Sequence, residues 1–253
     1  DWSWSRGLGD VYKRQIKEIK EKKFQITDIS SKVVKRNPSG PFTTSTLQQV
    51  ASSRLGFGAS RTMQIAQKLY QGVEIDGDTV GLITYMRTDG TNLSADAVND
   101  FRNFIKNEYG NEYLPTSANN YSGKKAKNAQ EAHEAIRPTD INRAPDTLKK
   151  YLSSDQQKLY NLIWSRALSS QMEVAQFDRN TITIESEDNQ TICKASGSVL
   201  KFDGFLKVYS NTSKDDDEEI LPEMSKGPIN IEALIDEQHF TQPPPRYSEA
   251  SLV

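Results

Sequence analysis

The chain changes its hydrophobic period along its length, and these changes divide it into three parts. From residue 16 to residue 34, charged residues mix with alternating apolar ones, a pattern typical of an exposed strand. Between residues 41 and 176, apolar residues recur mainly at helical spacing. Beyond Phe177 the period falls to two, as in strands of an antiparallel sheet. The pattern predicts an α+β fold in which a mainly helical block is inserted between two β segments.

Four helices are predicted in the central block, each beginning near a hydroxyl side chain that can cap it. Their ranges are 41–56, 60–72, 94–110 and 154–172, and the last should be the buried central helix. A short glycine turn joins the first two, which form either an ordinary helical hairpin or a DNA-binding helix-turn-helix. The pattern favours the ordinary hairpin. Residues 131–138 are predicted as a short helical turn that Pro138 ends.

The period-two region predicts several short strands and a connector. The strands are expected at 181–184, 191–193, 205–209 and 229–231. Residues 242–245, with three consecutive prolines, form a stiff connector. Residues 248–253 resemble the first turn of a helix that is cut off, so we expect the chain to be a fragment.

The segment Gly-Leu-Ile-Thr-Tyr-Met-Arg-Thr-Asp at residues 81–89 is the most informative about chemistry. In an extended segment, side chains two residues apart point the same way, so Tyr85 and Arg87 should share a face. A phenol oxygen can attack a phosphodiester, while a guanidinium holds the phosphate and offsets its developing charge. The competing interpretation is a buried strand whose tyrosine packs and whose arginine reaches solvent. This segment alone favours that competing interpretation.

Composition excludes several classes of protein. No apolar run approaches the roughly 20 residues of a membrane helix. The single cysteine rules out an internal disulfide and a cysteine-based zinc site, and two histidines are too few for histidine-based metal catalysis. These features predict a protein of a reducing, cytoplasmic setting with no membrane partner and no metal ligands of its own.

The net charge is −2, but the charged residues are unevenly distributed along the chain. Residues 1–40 hold ten basic and five acidic side chains, whereas residues 181–253 hold six basic and fourteen acidic ones. A basic cluster at residues 124–127 and an acidic run at residues 215–219 both have the composition of solvated loops. A nucleic-acid partner is therefore permitted by the front of the chain and not required by it.

Four segments of the chain are informative when they are taken together. They are PFTTSTLQQ at 41–49, ITYMRTD at 83–89 with NLS at 92–94, AHEAIRPTD at 132–140, and HFT at 239–241 followed by PPRYSEASLV at 244–253. In this order, over about 210 residues, they resemble bacterial DNA topoisomerase I of the type IA family. Met86, between the tyrosine and the arginine, is similar to the topoisomerase I branch rather than the topoisomerase III branch.

The resemblance implies a function and a set of site residues. It implies ATP-independent relaxation of negatively supercoiled DNA, through single-strand cleavage, a 5′-phosphotyrosine intermediate, strand passage and religation. Tyr85 is then the nucleophile and Arg87 positions the scissile phosphate. DNA-binding or assisting roles fall on His133, Arg137, Thr88 and Asp89. For His133, a histidine without function at the surface is the alternative explanation.

The resemblance also implies a domain layout within a toroid. The helical domain at 41–176 holds the tyrosine, and the two halves of an antiparallel β arch lie at 16–40 and 177–241. Residues 242–253 begin the next helical domain. Residues 1–15 match neither the composition nor the pattern of the rest, and we expect them to be an unrelated leader.

Two departures from the family qualify this expectation. Gly90 stands where family members commonly have serine, which removes a hydroxyl donor. The acidic domain that binds Mg²⁺ in the family has no counterpart here, so we expect the fragment alone to be inactive. The expected partner is DNA, single-stranded at the cleavage site, bound by a monomer at the nucleoid. A non-catalytic DNA-binding module and a structural arch remain alternatives; a tyrosine recombinase lacks its second arginine cluster.

Overall fold

The computed structural model describes residues 15–121, 134–209 and 224–252, apart from residues 234, 236, 238 and 245. The chain divides into two compact units. The sheet unit comprises residues 1–34, 176–201 and 212–244, and the helical unit comprises residues 35–175, 202–211 and 245–253. Within the described ranges, no helix is both long and apolar enough to cross a lipid bilayer.

Strands and helices both contribute, so the α+β class is confirmed. The described strands are β1 (Phe24–Arg36), β2 (Val73–Ile75), β3 (Asp78–Val80), β4 (Ala175–Ser186), β5 (Ile192–Phe202) and β6 (Gly227–Ile229). Besides a helical segment at residues 15–21, the described helices are α1 (Thr44–Leu55), α2 (Ala59–Gln71), α3 (Ala95–Glu108), α4 (Ser154–Ser169) and α5 (Glu249–Leu252). Short 3₁₀ helices lie at Asn111–Tyr113, Pro145–Leu148 and Gly204–Lys207.

A four-stranded sheet in the order β5-β4-β1-β6 organises the sheet unit. β1 and β6 are antiparallel, with Phe24 opposite Ile229. The strand predicted for this segment is confirmed from residue 24 onward, and the predicted alternation holds at its beginning, where Phe24 and Ile26 are buried and Gln25 between them is exposed. Residues 30–35 are all exposed. The strand prediction is wrong for residues 16–21, which are helical. There Ile16 and Ile19 lie three apart, a helical spacing that the strand interpretation overlooked.

The helical unit is built around α4, as predicted. Ser153 and Gln156 form a capping box at its beginning, and nine of its sixteen residues are buried. α1 and α2 pack against each other and against α4. Thr43 caps α1, and Gly56 ends it in the left-handed conformation at φ 68°, as its sequence predicts. The first two helices therefore form a hairpin whose apolar faces are used for packing.

The prediction of a strand at residues 205–209 is wrong, because this segment forms a 3₁₀ turn. Phe205 and Tyr209, four residues apart, are both buried, whereas Lys207 between them is exposed. Gly204 begins the turn at φ 48°, and a Cβ there would lie 2.5 Å from the carbonyl oxygen of Val174. The turn thus requires glycine at position 204, and the alternation of apolar and polar residues in this segment does not indicate that requirement.

A two-residue turn joins β2 and β3, at the position where the sequence predicts a turn. Asp76 and Gly77 both have positive φ, 51° and 96°, and Ile75 pairs with Asp78 across the hairpin. Two central residues with positive φ are typical of a tight type I′ hairpin. The hairpin ends at Val80, so the chain leaves it directly toward the Tyr85 segment.

Candidate active site

Three segments that lie far apart in the sequence meet around Tyr85. Phe42 forms an antiparallel bridge with Ile136, and Ile83 forms one with Pro138. All three segments belong to the helical unit. Residues 134–138 are therefore extended, and the helical turn predicted for 131–138 is wrong over this part. The bridges to two other segments replace the local hydrogen bonds that a helix would need.

Thr44 fixes the chain after Tyr85. Its hydroxyl donates to the carbonyl of Met86 at 2.8 Å, and its amide donates to the carbonyl of Thr88 at 2.8 Å. The amide of Thr88 donates back to the Thr44 hydroxyl at 2.8 Å. Thr44 is the first residue of α1, where backbone amides lack helical partners, so its amide is available for this contact.

Thr84 fixes the chain before Tyr85. Its amide donates to the carbonyl of Arg137 at 2.9 Å, and its hydroxyl donates to the carbonyl of Ala135 at 2.7 Å. In return, the amide of Arg137 donates to the Thr84 hydroxyl at 3.0 Å. The residues on both sides of Tyr85 are thus held by hydrogen bonds to other segments.

The Tyr85 side chain itself is exposed. Its exposed fraction is 43 %, whereas Met86 is 1 % exposed. Exposure alternates along the segment, with Tyr85, Arg87 and Asp89 outward and Met86 and Thr88 inward. Tyr85 and Arg87 are therefore both exposed, and the common face predicted for them stays a prediction. The segment is not a regular strand, however, because only Ile83 forms a bridge and bends occur at Thr84, Met86 and Arg87.

The remaining predicted residues of this segment differ in their surroundings. Arg87 and Asp89 are exposed beside the tyrosine. Thr88 is 6 % exposed, and its hydroxyl accepts a hydrogen bond from the amide of Gly90 at 2.9 Å. Thr88 therefore shapes the turn after Arg87. Its contact with DNA stays a prediction, as do those of Arg87 and Asp89.

Arg137 lies in an ion pair rather than on an open face. Its Nε and Nη2 donate to the two carboxylate oxygens of Glu134 at 2.6 and 3.1 Å, and its Nη1 donates to the carbonyl of Pro138 at 2.9 Å. Glu134 also accepts from the amide of Ser94, the residue that caps α3. Burial opposes ionisation of Glu134, but these hydrogen bonds outweigh it and lower its pKa.

His133 lies outside the described residues, as do the basic cluster at 124–127 and the acidic run at 215–219. The DNA-binding roles of His133 and Arg137 therefore stay predictions. The Arg137 side chain is 15 % exposed and is paired with Glu134. Only the part of its guanidinium that does not bind Glu134 is available for a contact with a phosphate.

The surroundings of other tyrosines distinguish structural phenols from Tyr85. Tyr160 is fully buried, donates to the carbonyl of Arg143 at 2.8 Å, and has a raised pKa because of burial. Tyr121 donates to the carbonyl of Ser170 at 2.9 Å, and burial raises its pKa to about 12. Such phenols are held by the core and kept protonated. Tyr85 instead projects from it.

Sequence reasoning missed three residues that organise the site. Thr44 and Glu134 lie inside the motifs that carry the resemblance, but their partners are far away in sequence. Tyr70, near the end of α2, is 40 % exposed and contacts the ring of Tyr85. Its contact with Tyr85 depends on the β2–β3 hairpin, which brings the chain back from the end of α2 to the Tyr85 segment.

No group of three or more His, Cys, Asp or Glu side chains in the described part of the chain is placed to hold a metal ion.

Comparison with known proteins assigns the chain to a family. The family model described as "DNA topoisomerase" matches residues 9–253. Its match begins inside the segment that the composition set apart as a leader. The chain is 51 % identical over 240 residues to DNA topoisomerase 1 of Rickettsia felis, and 46 % identical over 248 residues to that of Xylella fastidiosa. These alignments cover 93 % and 95 % of this chain.

A solved structure agrees with this relation. The full-length topoisomerase I of Thermotoga maritima matches 85 % of the chain with a TM-score of 0.72 and 37 % identity. The chain belongs to the DNA topoisomerase family. Within that family its relatives are the bacterial proteins named DNA topoisomerase 1, so the resemblance drawn from the four motifs is confirmed.

The chain covers only a part of each relative. It spans 31 % of the Rickettsia felis protein, 30 % of the Xylella fastidiosa protein and 34 % of the Thermotoga maritima chain. The prediction that the sequence is a fragment of a longer protein agrees with these shares.

Proposed function

We propose that this chain is the tyrosine-bearing part of a type IA DNA topoisomerase that relaxes negatively supercoiled DNA without ATP. In this proposal the helical unit presents the nucleophile and the sheet unit contributes to an arch that closes around DNA. The DNA is single-stranded at the cleavage site, and the complete protein works as a monomer at the nucleoid in the cytoplasm. Family membership and the geometry around Tyr85 support the proposal.

The proposed reaction is a transesterification. The Tyr85 oxygen forms a bond to a backbone phosphorus while the bond from that phosphorus to the 3′ oxygen breaks. The phenol gives up its proton, and the departing 3′ oxygen takes one up, which leaves a 5′-phosphotyrosine and a free 3′-hydroxyl. After strand passage the hydroxyl attacks back and releases the tyrosine. One phosphodiester replaces another in each step, so no ATP is needed.

The single observation that carries the proposal is an exposed phenol on an immobilised backbone. Thr84 and Met86, the neighbours of Tyr85, are both hydrogen-bonded to other segments, while the Tyr85 ring is 43 % exposed. A nucleophile reacts fastest when it is already held close to its attack geometry, because little orientational freedom then remains to be lost on reaching the transition state. The phenols of Tyr160 and Tyr121, by contrast, are held in the core by hydrogen bonds.

Arg87 is the proposed partner of the scissile phosphate. It follows Tyr85 by two residues on the exposed side of the segment. A guanidinium presents a planar fork of donors to two phosphate oxygens and stays charged at any physiological pH. Arg87 can therefore orient the phosphate and stabilise the charge that develops during attack.

The resemblance implies Mg²⁺, but the described residues do not fit it, since they contain no suitable cluster of acidic or histidine ligands. In the proposed layout the ion would belong to a separate acidic domain of the complete protein, where it would supply electrostatic stabilisation. The residues of this chain provide the nucleophile, Tyr85, and the cation of Arg87.

Covalent capture of DNA by the complete protein tests the proposal. We expect Tyr85→Phe to abolish the adduct with a labelled oligonucleotide while DNA binding is retained, because only the attacking oxygen is lost. Tyr151→Phe is the matched control, since it removes a phenol whose hydroxyl is bound to Asp76. Relaxation of a supercoiled plasmid by the Tyr85→Phe variant would refute the proposal. Salt-sensitive binding without any capture by the unmodified protein would favour a DNA-binding module instead.

The fragment should not cleave by itself. We expect the isolated 253 residues to form no adduct with the same oligonucleotide, because they hold one part of a shared active site. An adduct formed by the isolated fragment would contradict this division of the site.

A further inference from the structure

Tyr70 and Tyr85 meet edge to face at the surface of the helical unit. Their ring centroids lie 5.4 Å apart and their planes cross at 65°. Both side chains are substantially exposed, at 40 % and 43 %. Aromatic pairs prefer such T-shaped arrangements, because the positive edge of one ring meets the negative face of the other. The contact therefore favours one orientation of the Tyr85 ring.

The end of α2 that carries Tyr70 is hydrogen-bonded to the segment that carries Tyr85. Tyr70 lies in the last turn of α2, next to the fully buried Leu69. The carbonyl of Leu69 accepts a hydrogen bond from the amide of Leu82 at 2.8 Å. This bond ties the end of the helix directly to the segment that leads to Tyr85.

Gly81 sets how closely these two segments approach. A Cβ at this position would lie 2.8 Å from the carbonyl oxygen of Tyr70, closer than real Cβ contacts. Only glycine permits this separation without a backbone shift. The distance between the two tyrosines is therefore fixed by backbone packing on both sides rather than by the rings alone.

We propose that Tyr70 is a positioning residue for the nucleophile, an inference that rests on the proposed function. An exposed tyrosine on a fixed backbone still rotates about two side-chain torsions, and each orientation places its oxygen differently. The Tyr70 ring restricts that rotation, so the phenol oxygen of Tyr85 spends more time where a phosphate can reach it. Tyr70 acts through its ring and touches no reacting atom.

Single-turnover cleavage by the complete protein at saturating oligonucleotide tests this role. We expect Tyr70→Leu and Tyr70→Ala to slow adduct formation about three- to tenfold, the range expected for loss of one aromatic pair. Binding of the oligonucleotide should stay the same, so the effect falls on the rate constant and not on affinity. Tyr70→Phe keeps the ring and should restore cleavage to within about twofold of the unmodified protein.

Gln71→Ala provides the matched control, because Gln71 is the neighbouring exposed residue at the same end of α2. It should leave cleavage unchanged. Leucine retains apolar bulk, so Tyr70→Leu separates loss of the ring from loss of folding, and a thermal unfolding scan of each variant checks this. Equal cleavage rates for Tyr70→Leu, Tyr70→Phe and the unmodified protein would overturn the inference. A loss with Tyr70→Phe equal to that with Tyr70→Leu would also overturn it, since the hydroxyl would then be the important group.

Tyr85→Phe in the same assay keeps the two proposals separate. If Tyr85→Phe abolishes the adduct while the Tyr70 variants are unaffected, the proposed function stands and only the positioning role fails. If Tyr85→Phe still forms the adduct, the proposed function itself fails.

Discussion

Thr44 and Thr88 are joined by a reciprocal pair of hydrogen bonds. The Thr44 amide donates to the Thr88 carbonyl, and the Thr88 amide donates to the Thr44 hydroxyl, each at 2.8 Å. The same hydroxyl donates to the carbonyl of Met86. One side chain at the beginning of α1 therefore holds the residue after Tyr85 and the turn that follows Arg87.

Removing the Thr44 hydroxyl should loosen the Tyr85 segment. We expect Thr44→Val to destabilise the fold by about 1–3 kcal/mol, because it leaves the Thr88 amide and the Met86 carbonyl without their partner. Amide hydrogen exchange in the complete protein should show faster exchange at Thr88. Thr44→Ser retains the hydroxyl and should show slow exchange there. Slow exchange at Thr88 in the valine variant would show that the hydroxyl does not hold the segment.

The ion pair between Glu134 and Arg137 should make this region sensitive to acid. Because the pKa of Glu134 is lowered in the folded state, its ionised form stabilises the fold above the ordinary glutamate pKa. That contribution should be lost as the pH falls through the lowered pKa, when the carboxylate becomes protonated.

Glu134→Gln tests this dependence. We expect the unmodified protein to unfold at a higher temperature than the Gln variant at neutral pH, and the difference to shrink in acid. The measurement is the unfolding temperature of both proteins across the acid range. A difference independent of pH would mean that the charge of Glu134 contributes nothing.

Enlarging Gly81 should disturb the approach of α2 to the Tyr85 segment. Gly81→Ala places a methyl group 2.8 Å from a backbone oxygen, so the backbone must move, at a cost of about 1–3 kcal/mol. The unfolding temperature and the rate of covalent capture should both fall. Gly58→Ala is the control, since its nearest neighbour would be 3.7 Å away. Equal effects of the two substitutions would argue against the close approach.

Arg87 should contribute one phosphate contact to DNA binding. We expect Arg87→Gln to slow covalent capture and to reduce the slope of log affinity against log salt by about 0.7, the value for one contact on single-stranded DNA. Arg87→Lys should keep the slope, because its charge remains, but should recover the rate only in part, because an ammonium lacks the planar fork. If the salt dependence of binding were unchanged in the Gln variant, Arg87 would not contact a phosphate.

Local sequence rules succeeded where each element is stabilised by its own residues. The capping boxes of α1 and α4, the glycine that ends α1, and the turn between β2 and β3 all follow from side chains within a few residues. They failed at residues 134–138 and 205–209, where contacts with segments far away in sequence decide the conformation. At residues 16–21 the strand prediction failed for a local reason, because it overlooked the helical spacing of Ile16 and Ile19.

The sequence by itself determined the class of fold, the main helices, and the family, because motifs and hydrophobic periods are local properties of a chain. It also predicted Tyr85 and Arg87 on one face of an extended segment. Only the tertiary structure decided that the tyrosine is presented on a fixed backbone. That arrangement needs Thr44, Thr84 and residues 134–138 to meet, and hydrogen bonds between such distant segments form only when the chain has folded.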